Sequence, residues 1–376
     1  MVSPTRPQAR TGRGAVSNRE GRFESTHAEP VDDGWGSLEE PLPPLETIVN
    51  PEPARTIISR NQSPDINFDQ SINPYRGCEH GCIYCYARPS HAYLNLSPGL
   101  DFETRLFYKA DAARLLEREL AAPSYKCSPI TIGANTDPYQ PIERKHRVTR
   151  SILEVLARYR HPCSIITKSA MIERDLDLLQ SMAKDNLVQA FISVTTLSDE
   201  LKRTLEPRTA SPAARLRAIR KLSDAGVPVG VMVAPVIPVL TDFELERILQ
   251  AAAEHGAKAA GYVLLRLPYE VKDLFREWLA EHHPDRARHV MSIIRSLRGG
   301  RDNDPCFGTR MRGEGPFAEL IRSRFAVACR RLGLAGRGGA PLRTDLFRPP
   351  RPASPQLDLG LGAAPPPPAP SRPAPP

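Results

Sequence analysis

Short runs of β-branched and apolar residues alternate with longer amphipathic stretches through the middle of the chain. Each run is bounded by turn residues and is too short for a helix, which is typical of strands buried on both faces. The five clearest runs lie at 130–133, 164–167, 188–194, 229–233 and 262–265, and a further strand is predicted at 71–76. The pattern therefore predicts six strands of a parallel sheet.

Helical periodicity occupies the intervals between these runs. Helices are predicted at 111–121, 149–159, 174–184, 212–225, 242–255 and 270–282. Ser211 and Pro212 fit the start of the fourth helix, and Gly226 fits a left-handed position after its end. About six β/α units at spacings of roughly 30 to 35 residues predict an α/β fold, with either a curved, barrel-like sheet or a doubly wound one. Both arrangements place chemistry at the carboxyl ends of the strands.

The prolines of the chain are concentrated at its end. Of 376 residues 39 are proline, and residues 349–376 hold 12 of them. Such a segment cannot bury enough apolar surface to become ordered. Residues 1–53 are polar and lack periodicity. We therefore expect a flexible leader at 1–53, an α/β core at 54–285, a basic helical C-terminal extension at 286–348 and a disordered Pro-rich tail at 349–376.

Charge and hydropathy limit the environment of the protein. No apolar run reaches the roughly 18 residues that a membrane span needs, and residues 1–21 contain no apolar signal core. We therefore expect a cytoplasmic protein. The formal net charge of +8 favours contact with nucleic acid, DNA or RNA, or with another polyanion. Either a nucleic-acid-facing surface or a solvated helix face would explain the basic residues of the extension, which are Arg286, Arg288, His289, Arg295, Arg298, Arg301, Arg310 and Arg312.

Three of the seven cysteines lie on one short segment after the first predicted strand. They are Cys78, Cys82 and Cys85, with Tyr84 directly before the third. The spacing C-x3-C-x2-C lets three thiolates hold three irons of a cubane cluster, because soft sulfur ligands suit iron–sulfur chemistry. The fourth iron is then left open to bind a small molecule.

Two other interpretations of the cysteine segment are weighed against the cluster. A structural zinc site would use His80 or His91 as its fourth ligand, although zinc sites usually separate their ligands into pairs. A redox dithiol of Cys82 and Cys85 leaves Cys78 unexplained. A disulfide framework is not expected, because the other four cysteines are scattered along the chain.

The cysteine segment resembles the motif of the radical S-adenosylmethionine (radical SAM) superfamily. The runs at 73–78, 135–139, 167–169 and 206–208 resemble the spore photoproduct lyase-like group, which is also described as DNA repair photolyase-like. The resemblance covers roughly residues 55–346. It implies a partial (β/α)6 TIM-like barrel, a 4Fe-4S cluster on Cys78, Cys82 and Cys85, and S-adenosyl-L-methionine as the second cofactor. It also implies reductive cleavage of that cofactor, hydrogen abstraction from a substrate, and an electron donor such as flavodoxin or ferredoxin.

Polar and small residues just beyond each predicted strand are the candidate cofactor contacts. By resemblance, the loop with Asn135, Thr136 and Asp137 receives the methionyl amine, and Lys168 pairs with the methionyl carboxylate. Ser193 or Thr195 would meet the ribose, and Ala234 would lie against the adenine. The predicted cofactor-binding residues are therefore Tyr84, Asn135, Thr136, Asp137, Lys168, Ser193 and Ala234. The segment at 206–208 would form a salt bridge that shapes the pocket wall, or bring Arg208 to the cofactor.

One departure from the group concerns the hydrogen donor. Its lyases return hydrogen through a cysteine in the loop after the second strand, and this chain has none there, since Cys127 lies before that strand. The departure argues against thymine-dimer reversal, and Tyr86, Tyr139 and Tyr269 are conjectural substitutes. No catalytic residue is therefore predicted.

The expected function is radical SAM chemistry in DNA repair or nucleic-acid modification. Modification of RNA or of a protein is a further enzymatic option. The alternative is a structural iron–sulfur or zinc protein that binds nucleic acid without radical chemistry. In the tail, residues 356–361, from Gln356 to Leu361, resemble the peptide that docks bacterial repair proteins on the sliding clamp, although a random Leu-rich sequence would explain them equally well.

Overall fold

A parallel sheet forms the centre of the molecule. The computed structural model describes residues 9–24, 45–336 and 341–350. The described residues form ten strands, which are β1 (Ile48–Pro51), β2 (Ile58–Arg60), β3 (Gln70–Ile72), β4 (Tyr75–Arg76), β5 (Arg105–Tyr108), β6 (Ile130–Ile132), β7 (Cys163–Thr167), β8 (Val188–Ser193), β9 (Val229–Val236) and β10 (Ala259–Leu264).

The six predicted strands are neighbours in the order in which they occur along the chain. The large sheet runs β10-β9-β8-β7-β6-β3-β2, and only β2 is antiparallel to its neighbour. A doubly wound sheet would reverse its strand order at a switch point, whereas here every strand adds on the same side. This order is that of a partial (β/α)6 barrel, so the predicted fold class is confirmed.

The first predicted strand divides between two sheets. Residues Gln70–Ile72 join the barrel beside β6, but Tyr75–Arg76 turn away and pair antiparallel with β5 in a small three-stranded sheet with β1. The chain therefore leaves the barrel directly before the cysteine segment. This turn places the cysteines over the end of the barrel rather than along its wall.

Helices connect the strands and cover the outside of the barrel. The described residues contain α1 (Asp101–Thr104), α2 (Ala112–Leu120), α3 (Glu143–His146), α4 (Val148–Arg158), α5 (Leu176–Ala183), α6 (Asp199–Leu205), α7 (Pro212–Asp224), α8 (Leu245–Glu254), α9 (Val271–His282), α10 (Ala287–Ser296) and α11 (Gly315–Leu332). The six predicted helices correspond to α2, α4, α5, α7, α8 and α9. Short 3-10 helices occupy the starts predicted for α5 and α8, at Ala170–Asp175 and Asp242–Glu244.

The basic extension packs along the β10 edge of the barrel. The amide of Leu264 donates to the Met311 carbonyl at 3.0 Å, and the amide of Ala260 donates to the Ala335 carbonyl at 2.9 Å. Arg324 of α11 forms an ion pair with Glu246 of α8 at 2.7 Å. In the described ranges, no helix has the length and apolar character that crossing a bilayer requires.

Part of the predicted flexible leader is packed against the core, which corrects that prediction for residues 9–24. We call these residues the N-terminal strap. Gly14 and Ala15 donate their amides to the carboxylate of Glu103 at 3.0 and 2.9 Å, and Arg13 donates to the Glu103 carbonyl at 3.0 Å. The Glu103 carboxylate is fully buried and also forms an ion pair with Arg88 at 2.5 Å. Composition did not reveal this contact, because it depends on two backbone amides.

Residues 1–8 and 25–44 of the leader and residues 351–376 of the tail fall outside the described residues. Residues 45–53 of the leader are described, and β1 lies within them. The sliding-clamp peptide from Gln356 to Leu361 lies outside the described part, so it stays a prediction from the sequence.

Replacing Glu103 with glutamine should destabilise the whole protein. The Arg88 charge would lose its counter-charge, and a side-chain amide would face two backbone N–H groups, so we expect Glu103→Gln to lower the free energy of unfolding by about 3–5 kcal/mol. Glu154→Gln is the control, because its ion pair with Arg150 is half exposed and should contribute less than about 1 kcal/mol. Urea denaturation monitored by circular dichroism measures both values, and equal losses would contradict the prediction.

Candidate active site

A single cavity of about 510 Å³ opens at the carboxyl ends of the parallel strands. Its wall receives residues from the cysteine segment and from the end of every strand of the partial barrel. The strand-end contributors are Asn73 after β3, Gly133 and Asn135 after β6, Lys168 after β7, Ser193 in β8, Ala234 in β9 and Arg266 after β10. The topology therefore brings the predicted strand-end residues to one place.

Two glycines with positive φ shape the cysteine segment. Gly77 has φ of +74°, and a Cβ there would lie 2.7 Å from the Leu106 side chain. Gly81 has φ of +68°, and a Cβ there would lie 2.7 Å from the carboxylate of Glu103. Both positions combine left-handed backbone with close packing, which only glycine tolerates without strain. The segment is thereby folded tightly over Glu103.

The three cysteine thiols all line this cavity, and none forms a disulfide. Burial raises the pKa of each thiol, to about 12 for Cys82. Asp137 adds to the increase at Cys78, and Glu206 adds to it at Cys82. Without a cation these groups stay protonated at neutral pH, whereas bound metal deprotonates a coordinating thiol. Three buried, unpaired thiols facing one cavity fit an iron–sulfur cluster.

The histidines that would complete a zinc site have other partners. Nδ1 of His80 lies 3.3 Å from the Asp137 carboxylate, and Nε2 of His91 lies 2.9 Å from the Arg105 carbonyl. Within the described ranges, no group of three or more His, Cys, Asp or Glu side chains is arranged to hold a metal ion. Zinc draws its four ligands to one point, while a cubane places its thiolates on different irons. Each of these contacts engages one ring nitrogen of its histidine and leaves the other as a candidate ligand, so the histidines alone do not distinguish zinc from a cluster.

Tyr84 belongs to a buried network beneath the cysteines. Its hydroxyl donates to Glu206, which also accepts from Thr195 at 2.8 Å and from Arg215 at 2.5 Å. Burial raises the pKa of Glu206, but Arg215 and Lys168 more than offset this effect and hold it at about 2. Glu206 is therefore a charged anchor for Tyr84 and the cysteine segment.

The segment at 206–208 forms salt bridges, as one of the two sequence interpretations expected. Glu206 pairs with Arg215, and Arg208 pairs with Glu79 at 2.8 Å. Arg208 does not line the cavity. Its role is therefore to hold the wall next to the cysteines.

The loop after β6 is held by its own side chains and by Asn73. The amide of Asn135 donates to Asn73 Oδ1 at 2.8 Å, and the Asn135 side chain lines the cavity. Asp137 also lines the cavity but accepts from Thr167 Oγ1 and from the Lys168 amide, both at 2.7 Å. Burial raises the Asp137 pKa, yet His80 and these hydrogen bonds bring it to about 2. Asp137 thus joins two strand ends, and its contact with a cofactor stays a prediction.

Thr136 does not line the cavity, and its contact with a cofactor stays a prediction. Its hydroxyl donates to the Tyr75 carbonyl at 2.8 Å, and the residue is buried. This hydrogen bond holds the side chain toward β4, whereas the neighbouring Asn135 and Asp137 line the cavity. Thr136 therefore fixes the loop to the strand that leads into the cysteine segment.

The remaining predicted contacts face the cavity. Lys168, Ser193 and Ala234 line it, whereas the hydroxyl of Thr195 donates a hydrogen bond to Glu206. The Lys168 Nζ lies 5.8 Å from the Tyr84 ring centroid and forms no ion pair in the described part of the chain. The geometry agrees with the expected roles but does not test them.

Of the three conjectural tyrosines, only Tyr86 lines the cavity. Tyr139 is fully buried elsewhere and donates to Asp175 at 3.0 Å. Tyr269 is exposed and lies beside the Arg22 guanidinium, 4.2 Å from its ring centroid. Tyr139 and Tyr269 therefore lie outside the cavity, and only Tyr86 is placed where the missing cysteine would act.

Sequence reasoning missed the far end of the cavity, where Arg266, Arg310 and Met311 contribute. Arg266 follows β10 by two residues, so the strand-end rule used for the other strands would have found it. Arg310 and Met311 come from the extension and reach the site only through long-range folding. Strand pattern therefore gives no signal for them.

Several arginines of the extension have internal partners. Arg298 is buried and donates to the carbonyls of Leu265 and Arg310, both at 2.8 Å. Arg295 pairs with Asp302 at 2.9 Å. These arginines stabilise the extension through internal contacts. The basic residues of the extension therefore do not form one continuous positively charged surface. Contact of the extension with nucleic acid stays a prediction.

Comparisons with known proteins agree with this geometry. The family model of the Radical SAM superfamily matches residues 72–252. An uncharacterized protein of Mycobacterium tuberculosis is 36% identical over 272 residues, which is 72% of this chain and 76% of the relative. An uncharacterized protein of Methanocaldococcus jannaschii is 28% identical over 173 residues, covering 46% of this chain and 62% of the relative.

Solved structures of spore photoproduct lyase share the fold. One mutant aligns with a TM-score of 0.53 at 14% identity, covering 77% of this chain and 80% of the other. A second mutant, with bound AdoMet and dinucleoside spore photoproduct, aligns with a TM-score of 0.54 at 15% identity over the same shares. The fold and the cysteine-lined cavity define a barrel of the radical SAM type. The chain belongs to the radical SAM superfamily, whose cofactors are a 4Fe-4S cluster and S-adenosylmethionine.

Alanine at Cys78, Cys82 or Cys85 should abolish cluster binding, because each thiolate holds a different iron. We expect each variant, purified anaerobically, to lose most of its iron and sulfide and its broad absorbance near the blue end of the visible spectrum. Cys306→Ala is the matched control, since Cys306 is exposed and outside the cavity. A colourless wild-type protein containing zinc would contradict the assignment.

Proposed function

We propose that this protein is a radical SAM enzyme that abstracts hydrogen from a nucleic-acid substrate in the cytoplasm, in repair or modification. The observation that carries the proposal is the convergence of three free cysteine thiols with polar strand-end residues on one cavity. A lyase-type reaction is part of the proposal. An electron donor such as flavodoxin or ferredoxin is its expected partner.

The protein would divide the work with its cofactors. When bound, the cluster and S-adenosylmethionine supply one-electron cleavage of a carbon–sulfur bond and hydrogen abstraction. Cys78, Cys82 and Cys85 would hold the cluster, and the Glu206 network keeps Tyr84 and their segment fixed. Apolar side chains of Ile166, Met232 and Val263 line the cavity and would exclude water from the reaction.

Lys168 is the residue best suited to bind the methionyl carboxylate. It stands at a strand end, lines the cavity and forms no ion pair with a carboxylate in the part of the chain that is described. The Lys168 ammonium group acts on Glu206 only at a distance, so its hydrogen-bond donors favour an anionic ligand. Asn135, Ser193 and Ala234 would complete the contacts to the amine, the ribose and the adenine.

Replacing Lys168 with glutamine should weaken cofactor binding more than it slows the chemical step. We expect Lys168→Gln to raise the KM for S-adenosylmethionine about tenfold, as loss of a hydrogen bond to a charged group predicts. Isothermal titration of the iron-loaded protein should show a matching rise in Kd. Lys184→Gln, which removes an exposed lysine outside the cavity, is the control. An unchanged Kd in Lys168→Gln would remove this residue from the cofactor site.

Two features support a nucleic-acid substrate. The formal net charge is +8, and the fold is shared with spore photoproduct lyase, one structure of which contains a dinucleoside photoproduct. The loop after β6 carries Ala134 at the cavity wall and has no cysteine, so the substrate or the route of hydrogen return differs from that of the lyases resembled here. The proposal therefore does not include thymine-dimer reversal.

Formation of 5′-deoxyadenosine tests the function. We expect reduced, iron-loaded protein to cleave S-adenosylmethionine, and damaged DNA or tRNA to stimulate cleavage above the level obtained with protein extracts. Chromatography of the quenched reactions measures the product, with Cys82→Ala as the inactive control. Iron-loaded protein that never cleaves S-adenosylmethionine would favour the structural iron–sulfur alternative. Stimulation by protein extracts alone would contradict the substrate class.

A further inference from the structure

One arginine in the cavity has no ionic partner. Arg266 follows β10 and lines the cavity. Its Nε is buried without a hydrogen-bond partner, and its Nη1 contacts the Met311 sulfur at 3.5 Å. Among the described residues no carboxylate forms an ion pair with it. Removing a guanidinium group from water without a counter-charge costs free energy, unless a ligand supplies the negative charge.

The neighbouring arginine differs in this respect. Arg310 forms an ion pair with Asp65 and donates to Ser63 at 2.5 Å. Its charge is therefore compensated within the protein. Burial lowers the pKa of Arg266 and the nearby Arg310 lowers it further, while Tyr86, Asp65 and Asp304 oppose this effect only in part. Among the described residues, this end of the cavity thus carries one guanidinium charge that no ion pair neutralises.

Aromatic rings accompany both guanidinium groups. The Tyr86 ring lines the cavity with its centroid 5.9 Å from Arg266 Cζ. Phe307 is 59% exposed, and its ring centroid lies 4.4 Å from Arg310 Cζ. Arginines interleaved with exposed rings are typical of surfaces that bind single-stranded nucleic acid, where rings stack on bases and arginines meet phosphates. A small carboxylate or an acidic peptide offers nothing for these rings to stack on.

We propose that Arg266 binds a backbone phosphate of the nucleic-acid substrate, while Tyr86 provides a stacking surface for the adjoining base. This inference rests on the proposed function and adds to it the residue that positions the substrate. The planar fork of arginine matches two phosphate oxygens, and its unpartnered Nε belongs to that fork. The target nucleotide would then enter the cavity between Arg266 and the cysteine segment.

Binding of a labelled oligonucleotide tests the assignment. Full-length, iron-loaded wild type, Arg266→Gln, Arg266→Lys and Arg114→Gln are titrated into a short fluorescein-labelled single-stranded oligodeoxynucleotide, and anisotropy is followed over a range of salt concentrations. Arg114 is the matched control, because it is an exposed arginine outside the cavity. Iron content and the Kd for S-adenosylmethionine are measured on the same preparations.

We expect Arg266→Gln to bind the oligonucleotide about tenfold more weakly, with the slope of log K against log salt reduced by about 0.7. Arg266→Lys should keep the slope but lose part of the affinity, since it retains the charge without the fork. The Kd for S-adenosylmethionine should not change. Equal weakening in Arg114→Gln would overturn the assignment, because it would show an effect of net charge alone.

Other outcomes would also overturn it. Weaker binding of S-adenosylmethionine with unchanged oligonucleotide binding would place Arg266 at the cofactor, and tighter binding of an acidic peptide than of the oligonucleotide would place another substrate there. If Arg266→Gln loses its iron, phenylglyoxal modification of wild-type Arg266 replaces it. The oligonucleotide should slow that modification, and an unchanged rate would overturn the proposal. Wild-type formation of 5′-deoxyadenosine tests the proposed function separately, so the two failures can be distinguished.

Discussion

The buried carboxylate of Glu103 is the contact on which the geometry of the cysteine segment depends. It accepts from two amides of the N-terminal strap and pairs with Arg88. Arg88 in turn donates to the carbonyls of Cys82 and Gly81, at 2.9 and 3.1 Å. A buried charge is tolerated only when its partners are complete, so the strap, Glu103 and the cysteine segment form one unit. Metal ligands on an irregular loop acquire defined positions in this way.

Two further carboxylates give the rest of the cavity the same rigidity. Asp137 joins the ends of β6 and β7, while Glu206 joins Tyr84 to Arg215 on α7. Neither acid is left free for proton transfer, since each is held ionised by several donors. Their function is positional, because a reaction that generates radicals requires its groups to be in place beforehand.

Local pattern predicted the barrel but not the residues that close it. Every central strand lies within a few residues of its predicted range, because a buried parallel strand has a continuous apolar sequence. Strand ends likewise led to Lys168 and Ser193. The sequence pattern did not indicate that the Thr136 side chain is directed away from the cavity, because side-chain direction in a loop depends on which neighbour anchors it, here the carbonyl of Tyr75.

The N-terminal strap and the part of the cavity wall that contains Arg310 left no comparable pattern in the sequence. Gly14 and Ala15 act through backbone amides on a residue almost ninety positions away, and no side-chain pattern records such a contact. Arg310 meets Asp65 across 245 residues. In the sequence, the arginines of the extension fitted either a nucleic-acid-facing surface or a solvated helix face. Long-range ion pairs and carbonyl contacts decide which of their charges are compensated inside the fold.

The hydrogen bonds from β10 to the extension have a consequence for behaviour in concentrated solution. The open side of a sheet is a row of unpaired amide and carbonyl groups onto which another chain can add, and this is a route to aggregation. Here the carbonyls of Met311 and Ala335 accept hydrogen bonds from the amides of Leu264 and Ala260. The extension, whose Met311 completes the cavity wall, therefore also caps the barrel edge, which protects the fold from adding further chains there.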